Sequence, residues 1–328
     1  MDGQGTVARD PEKTIYDKDE EVKLTAFPET GWSFSHWSGN YSGNDNPASI
    51  IMDTNKTITA HFILYLEDLD SGLPSPQGVY RWLDAANQVY SAMYRDSYNY
   101  TQAIVSINYA TQGNTLAGTL QAENLKPNFA YQLKLIGTPG TTSNEKIGLV
   151  GRWWQEEWDG TAWTNGQNLN DKGDGSSPNP NDVMYYSRRD ISDTSSPTGL
   201  HYKFTGYLLF DYFITDEQGN ATVLFETGSS CHVLWKTTQR ARTEEDDFLQ
   251  STTFTATTTS PAYDTNYPEQ TIAIFGEWER LPINGVPLAT DIYTAQLILT
   301  EESFHGDGGQ YAGNWAGAMG VTIQFTVL

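Results

Sequence analysis

Between Gly5 and Phe62 the apolar residues of this chain alternate, and no helical period appears. In KTITAHF, Ile58, Ala60 and Phe62 fall on one face while Thr57, Thr59 and His61 fall on the other, which is the two-residue period of a half-buried strand. The same grain runs through TVARD, EVKLTAF, WSFSHW and SIIMD, with turns supplied by PETG, SGNYSGNDNP and DTNK. A chain patterned in this way folds as sheet. A unit of about sixty residues is close to the size at which a single core becomes marginal, so its largest side chains are needed inside. Phe34 and Trp37 are therefore read as core, whereas Trp32, opposite Ser33 in the alternation, fits a core or a ligand platform equally well.

The order GQGTVARDP, DEEVKLTAFPETGWSFSHWSGN and NPASIIMDTNKTITAHF over residues 3–62 resembles the divergent InlB-type B-repeat of bacterial and archaeal surface proteins. The shared pattern is a Gly-x-Gly-Thr-Val start, a strand ending in Thr-Ala-x-Pro, a Gly-aromatic-x-Phe-x-x-Trp centre and a closing Lys-x-Ile/Val-Thr-Ala-x-Phe. The resemblance implies an extracellular, non-catalytic module, usually found in series as a stalk or spacer, although one copy is visible here.

Beyond this module, LYLEDLDSGLPSPQG passes into a Pro-, Ser- and Gly-rich stretch that marks a boundary. Three units are expected: a B-repeat-like module at 1–64, a linker at 65–78 and a larger domain at 79–328. In the segment after the linker, Val79, Leu83, Ala86, Val89 and Met93 fit one short helix, with an aromatic strand or loop as the competing reading. From Gln102 onward strands return with hairpin signals, among them NFAYQLKLIG, QTIAIFGEWERL and FITDEQGNATVLFE, the last turning at Gly219-Asn220. The expected fold class is all-β, a small β-repeat module followed by a large antiparallel β-sandwich. The segments NLKPNFAYQLKL, TGYLLFDYFITDEQGNATVLFE and TEESFHG are similar to prokaryotic secreted β-domain proteins of no assigned activity, which implies secretion and no chemistry.

Charge narrows the partners. The chain carries 41 acidic against 19 basic residues, a formal charge of −22, and such a field repels phosphate backbones and anionic lipid while attracting cations. Nucleic acid is excluded as a partner, and calcium is the cofactor to expect. Cys231 is the only cysteine, so neither an internal disulfide nor a Cys-rich zinc site can be built. No apolar run is long enough to span a membrane, and Met1-Asp2-Gly3 does not open a signal peptide, so the chain reads as a mature or trimmed form of an exported protein.

Three constellations could carry chemistry. Trp153, Trp154, Trp158 and Trp163 lie close together among Glu156, Glu157 and Asp159. Flat rings beside carboxylates and amides suit sugar binding, whereas a strand would send adjacent Trp153 and Trp154 to opposite faces and at least one of them into a core. Asp171, Asp174 and Asp182 belong to a Gly- and Asn-rich loop whose oxygens could wrap calcium, with a solvated acidic loop as the plain alternative. Glu277 with Glu279, and Glu301 with Glu302, His305 and Asp307, are carboxylate groupings of the kind glycosidases use, but surface strands carry such pairs routinely. No catalytic residue is assigned. The expectation is an extracellular structural or adhesive surface protein, a calcium-assisted subunit of a layer or filament that pairs with copies of itself or with other surface proteins. The alternative is a secreted carbohydrate-binding protein, with a glycan-active enzyme third.

Overall fold

The computed structural model describes residues 1–69, 98, 100–127, 129–164, 166–169, 180–227, 232–236, 248–256, 270–277, 287–302 and 315–328. Its strands are, in chain order, β1 (Gly5–Asp10), β2 (Glu21–Pro28), β3 (Trp32–Gly39), β4 (Ala48–Ile51), β5 (Ile58–Tyr65), β6 (Glu67–Asp68), β7 (Ile104–Tyr109), β8 (Gln112–Gly113), β9 (Ala117–Glu123) and β10 (Ala130–Ile136). They continue with β11 (Arg152–Glu157), β12 (Gln167–Asn168), β13 (Tyr202–Ile214), β14 (Ala221–Glu226), β15 (His232–Lys236), β16 (Phe248–Ala256), β17 (Gln270–Glu277), β18 (Asp291–Glu302) and β19 (Trp315–Val327). Two short helices, α1 (Thr142–Val150) and α2 (Pro180–Arg188), complete the described elements together with a 3-10 turn at Tyr100–Gln102. The fold is all-β, with antiparallel sheets throughout except for the parallel contact of β8 with β19.

Alternation in the first five strands places residues as the sequence requires. Val22, Leu24 and Ala26 of β2 and Ala60, Phe62 and Leu64 of β5 are buried. Trp37 is 1% exposed, packs on Phe34 and donates its indole N–H to the carbonyl of Asp45 at 2.9 Å. Trp32 is buried too, its ring 5.3 Å from that of Tyr109 in β7, so both tryptophans belong to the core.

β1, β2 and β4 form a small sheet of their own, but β3 and β5 do not stay within the repeat. Leu64 and Tyr65 pair with Ile107 and Ser106, which extends β3 and β5 into a five-stranded sheet in the order β14-β9-β7-β5-β3. Two residues on, Glu67 and Asp68 pair with Gly320 and Met319 at the edge of the large sheet, ordered β12-β11-β13-β10-β18-β19-β6 with β8 also on β19. Leu66, between the two sheets, is buried and donates its N–H to the carbonyl of Val105. The linker expected at 65–78 therefore begins as hydrogen-bonded chain over 65–69 with Leu66 buried, and its remainder lies outside the described residues. One apolar cluster takes side chains from the repeat, from β7 and β9, and from β10, β18 and β19. These two sheets are the faces of the sandwich.

Three further features differ from the alternation-based expectation or fall outside it. First, β13 and β14 are joined at Asp216–Asn220 by the anticipated turn, with Gly219 at φ +82 and the Asp216 carboxylate accepting from the N–H groups of Gln218 and Asn220. The two strands do not pair with each other, however: β13 lies between β10 and β11, and β14 lies on β9. The segment is an arch from one sheet to the other, and turn residues look the same in both cases. Second, α1 was not foreseen, because its buried face contains Ser143 and Asn144 and so leaves no apolar stripe. Thr141 caps it, and Asn144 accepts from Gly206 N–H at 2.7 Å and donates to the carbonyl of Phe204 at 3.0 Å, in effect a side-chain peptide group laid against β13. A Cβ on Gly206 would stand 2.3 Å from the carbonyl oxygen of Asn144, so the close approach depends on glycine there. Third, the helix anticipated within Val79–Met93 lies outside the described residues.

Asp211 sits beside a register shift between β10 and β13, and burial lifts its carboxyl from 3.8 to about 6. A carboxyl raised in the folded state favours folding at acid pH and loses that contribution as pH climbs through about 6. The rise corresponds to about 3 kcal/mol at most. Asp211→Asn should therefore stabilise the protein at pH 7 by about 1–3 kcal/mol and flatten its stability between pH 4 and 7. Urea unfolding at both pH values measures this. Trp37→Ala should cost about 3–5 kcal/mol, and because the repeat shares a core with the sandwich, calorimetry should show one transition for both.

Candidate functional site

The tryptophan-rich segment divides according to which face of β11 each side chain takes. Trp153 is 0% exposed, stacked on Tyr185 of α2 at 3.9 Å and edge-on to Phe204 of β13. It forms a small second core with Leu169, Tyr185 and Phe204 and offers no face to a ligand, which corrects its assignment as a binding residue. Trp154, on the opposite face, is only partly buried and lies in register with Thr205 and Asn168. Trp158 and Trp163 bridge their backbones and pack edge to face at 5.4 Å. Trp158 is buried, and its indole N–H has no hydrogen-bond partner among the described residues. Trp163 remains partly open with Lys203 Nζ 5.1 Å over its ring. Trp154 and Trp163 are thus the members of the set that are not fully buried.

On the Trp153 side of β11, α1, the end of α2 and the start of β13 line a cleft of about 520 Å³, within the size range of small-ligand pockets. Tyr185, Tyr202 and Phe204 supply its aromatic wall, and Thr141, Thr142 and Thr198 supply hydroxyls. Its cations are held. Arg189 donates to Glu145 at 2.8 Å while lying over the rings of Tyr185 and Tyr186, and Lys203 pairs with Glu156 at 2.7 Å. Nearby, Arg188 lies over Tyr202 and donates to Gln155. His201 contacts Glu157 at 2.9 Å and Asp193 at 3.4 Å, and the hydrogen bond to Glu157 is the main cause of its raised pKa. Burial raises the Tyr185 hydroxyl, which keeps its proton. With its charges compensated, the cleft presents rings, hydroxyls and hydrogen-bonding edges, a surface suited to a neutral polyhydroxylated ligand. Tyr185, Tyr202 and Arg189 carried no signal in the sequence, because they come from α2 and from a strand distant from it.

Of the anticipated calcium ligands, Asp171 and Asp174 lie outside the described residues. Asp182 is in the first turn of α2, buried, and accepts the indole N–H of Trp153 at 3.2 Å. It is part of the second core and does not sit on a solvated loop. Among the described residues no three His, Cys, Asp or Glu side chains are grouped to hold a metal.

Of the acidic groupings, part lies among the described residues. Glu279, His305 and Asp307 lie outside the described residues, and Glu277 ends β17. Glu301 points into the sandwich core, where it is 1% exposed, paired with Lys126 Nζ at 2.9 Å and hydrogen-bonded by the Tyr100 hydroxyl. Tyr100 also meets the Tyr131 hydroxyl at 3.0 Å. A carboxylate enclosed in this way cannot act on a surface glycan. In the repeat, Ser38 Oγ contacts His61 Nε2 at 2.6 Å, and His61 Nδ1 contacts Asp2 at 2.9 Å, with His36 stacked on His61. This is the order of a hydrolytic triad, but Ser38 sits in a strand paired with Thr59, and the contacts tie residue 2 to β5.

Two substitutions separate core from partly exposed surface. Trp153→Ala should lower stability by about 3–5 kcal/mol, whereas Trp163→Ala should change it by less than about 1 kcal/mol. Thermal and urea unfolding of the two variants check this.

Comparison with curated proteins gives no match to the chain, and comparison with solved structures gives none. One family model does match. InlB-type B-repeat domains typically occur in bacterial surface proteins. Residues 1–64, the part of the chain that forms β1 to β5, match the divergent InlB B-repeat domain.

Proposed function

We propose that the protein is a non-catalytic, extracellular structural or adhesive component of a bacterial surface, associating with copies of itself or with other surface proteins through sheet edges. The match of residues 1–64 to a surface-protein domain supports the location. The observation that carries the association is β14. Among the described residues it is hydrogen-bonded to β9 on one side only and forms an edge of the five-stranded sheet that also contains the repeat, and its Leu224 is 82% exposed. An edge of unpaired N–H and C=O groups with a protruding apolar side chain is a template for strand addition. Ile104 on β7 and Tyr65 on β5, further into the same sheet, are also exposed. Calcium belongs to this proposal through the loop containing Asp171 and Asp174, on its composition alone.

A second reading rests on the cleft beside α1. Its three rings and three threonines support binding of a neutral sugar unit there.

Light scattering and negative-stain microscopy, with calcium and with chelator, test the first reading. Ordered oligomers or fibres are expected, and Leu224→Lys should reduce the assembled fraction at least about tenfold while leaving the melting curve unchanged. A monodisperse monomer in both conditions overturns it. For the second, tryptophan fluorescence should respond to a neutral oligosaccharide and cease to respond in Tyr202→Ala. An unresponsive wild-type chain across a glycan array removes that reading.

A further inference from the structure

The core of the sandwich contains a nucleophile and an acyl group held against each other away from water. Lys126 follows β9, and Glu301 lies near the end of β18, opposite Tyr131 in the register of β10 and β18. Both side chains are 1% exposed, and Nζ lies 2.9 Å from Oε1. The walls are aromatic. Phe129 lies 4.9 Å below Nζ, Tyr131 is fully buried and stacks on Phe213, and Tyr100 stands edge-on to Tyr131. The backbone of Lys126 is pinned on both sides, its N–H donating to the Tyr131 hydroxyl at 3.0 Å and its carbonyl accepting from Thr215 Oγ1 at 2.5 Å. Tyr100 aims its hydroxyl at Glu301 Oε1, the oxygen that Lys126 contacts. Burial holds that hydroxyl well above the usual tyrosine range, so it keeps a proton to deliver.

An ion pair with no exposed surface bears the full desolvation penalty of both charges, and moving one proton from ammonium to carboxylate removes both charges. What remains is a free amine beside a carboxylic acid, fixed in place and screened from water. Two reacting groups positioned in this way have effective concentrations far beyond any reached in solution. We infer that Lys126 and Glu301 condense into an intramolecular amide, an isopeptide cross-link inside the sandwich. Nζ attacks Cδ, the Nζ–Cδ bond forms and the Cδ–OH bond breaks. The proton shed by the amine reaches the departing hydroxyl through Tyr100, and one water leaves. No electrons are transferred and no co-reactant is needed. The product is neutral and enclosed by rings, so water for the reverse reaction is excluded. The bond ties the β9–β10 connection to β18. It is a modification site that stands apart from the assembly and sugar readings, because it rests on groups neither of them uses.

Mass spectrometry of the full chain, denatured before measurement, tests the inference. The expected mass is one water below that of the unmodified sequence. Proteolysis followed by tandem fragmentation should give a branched peptide joining the segment that contains Lys126 to the segment that contains Glu301. Lys126→Ala and Glu301→Ala should each restore the full mass, and Tyr100→Phe, which keeps the ring, should leave a measurable unlinked fraction. A wild-type chain of full mass overturns the cross-link whatever the variants do. A water loss that maps to any other residue overturns it equally. Complete linkage in Tyr100→Phe removes the tyrosine from the step.

Discussion

The passage of the chain through Leu66 is the constraint on which the rest of the molecule depends. On one side of it β5 is hydrogen-bonded to β7, and on the other β6 is hydrogen-bonded to β19, so two consecutive strands belong to opposite faces of the sandwich. Buried backbone groups need partners, and here those partners fix where the repeat must sit. The contact of Trp32 with Tyr109 and the shared apolar cluster follow from that placement. A repeat joined by a flexible tether would have to complete a core from about sixty residues, whereas this one completes it with β7 and β9.

The interior that results is rich in rings and contains more polarity than its sheets require. Tyr100, Tyr131, Lys126 and Glu301 lie in one enclosed group, Asn144 anchors α1 to β13, and Asp211 is held where its charge is unfavourable. The first two arrangements satisfy their polar atoms with specific partners, which selects one packing over others of similar apolar content. Asp211 has a single backbone donor, that of Tyr212, and its carboxyl is raised accordingly.

What could be read in the sequence was what has a short period. Alternation in KTITAHF located the buried Ala60 and Phe62. The pattern of Gly, Thr, Trp and Phe in the first 64 residues carried the repeat itself. What could not be read was pairing at long range. Nothing local says that Ile107 will face Leu64, that β13 and β14 will part into different sheets, or that Glu301 will meet Lys126. The cluster of four tryptophans was legible as a cluster, but adjacent residues on a strand face opposite ways. The packing of Tyr185 of α2 encloses Trp153, a contact that no local pattern signals. Asp182 was misplaced for the same reason, since a helix first turn drew it under Trp153.

The position of β14 has a consequence for how the folded chain breathes. β10 is paired along Tyr131–Ile136 with β13 on one side and β18 on the other, so exposing its amide hydrogens to exchange requires the centre of the large sheet to open. Among the described residues β14 holds only the six pairs it makes with β9. With no described strand on its outer side, it can fray without disturbing β10. The backbone that opens more readily than β10 is therefore the same backbone that a neighbouring molecule would meet first.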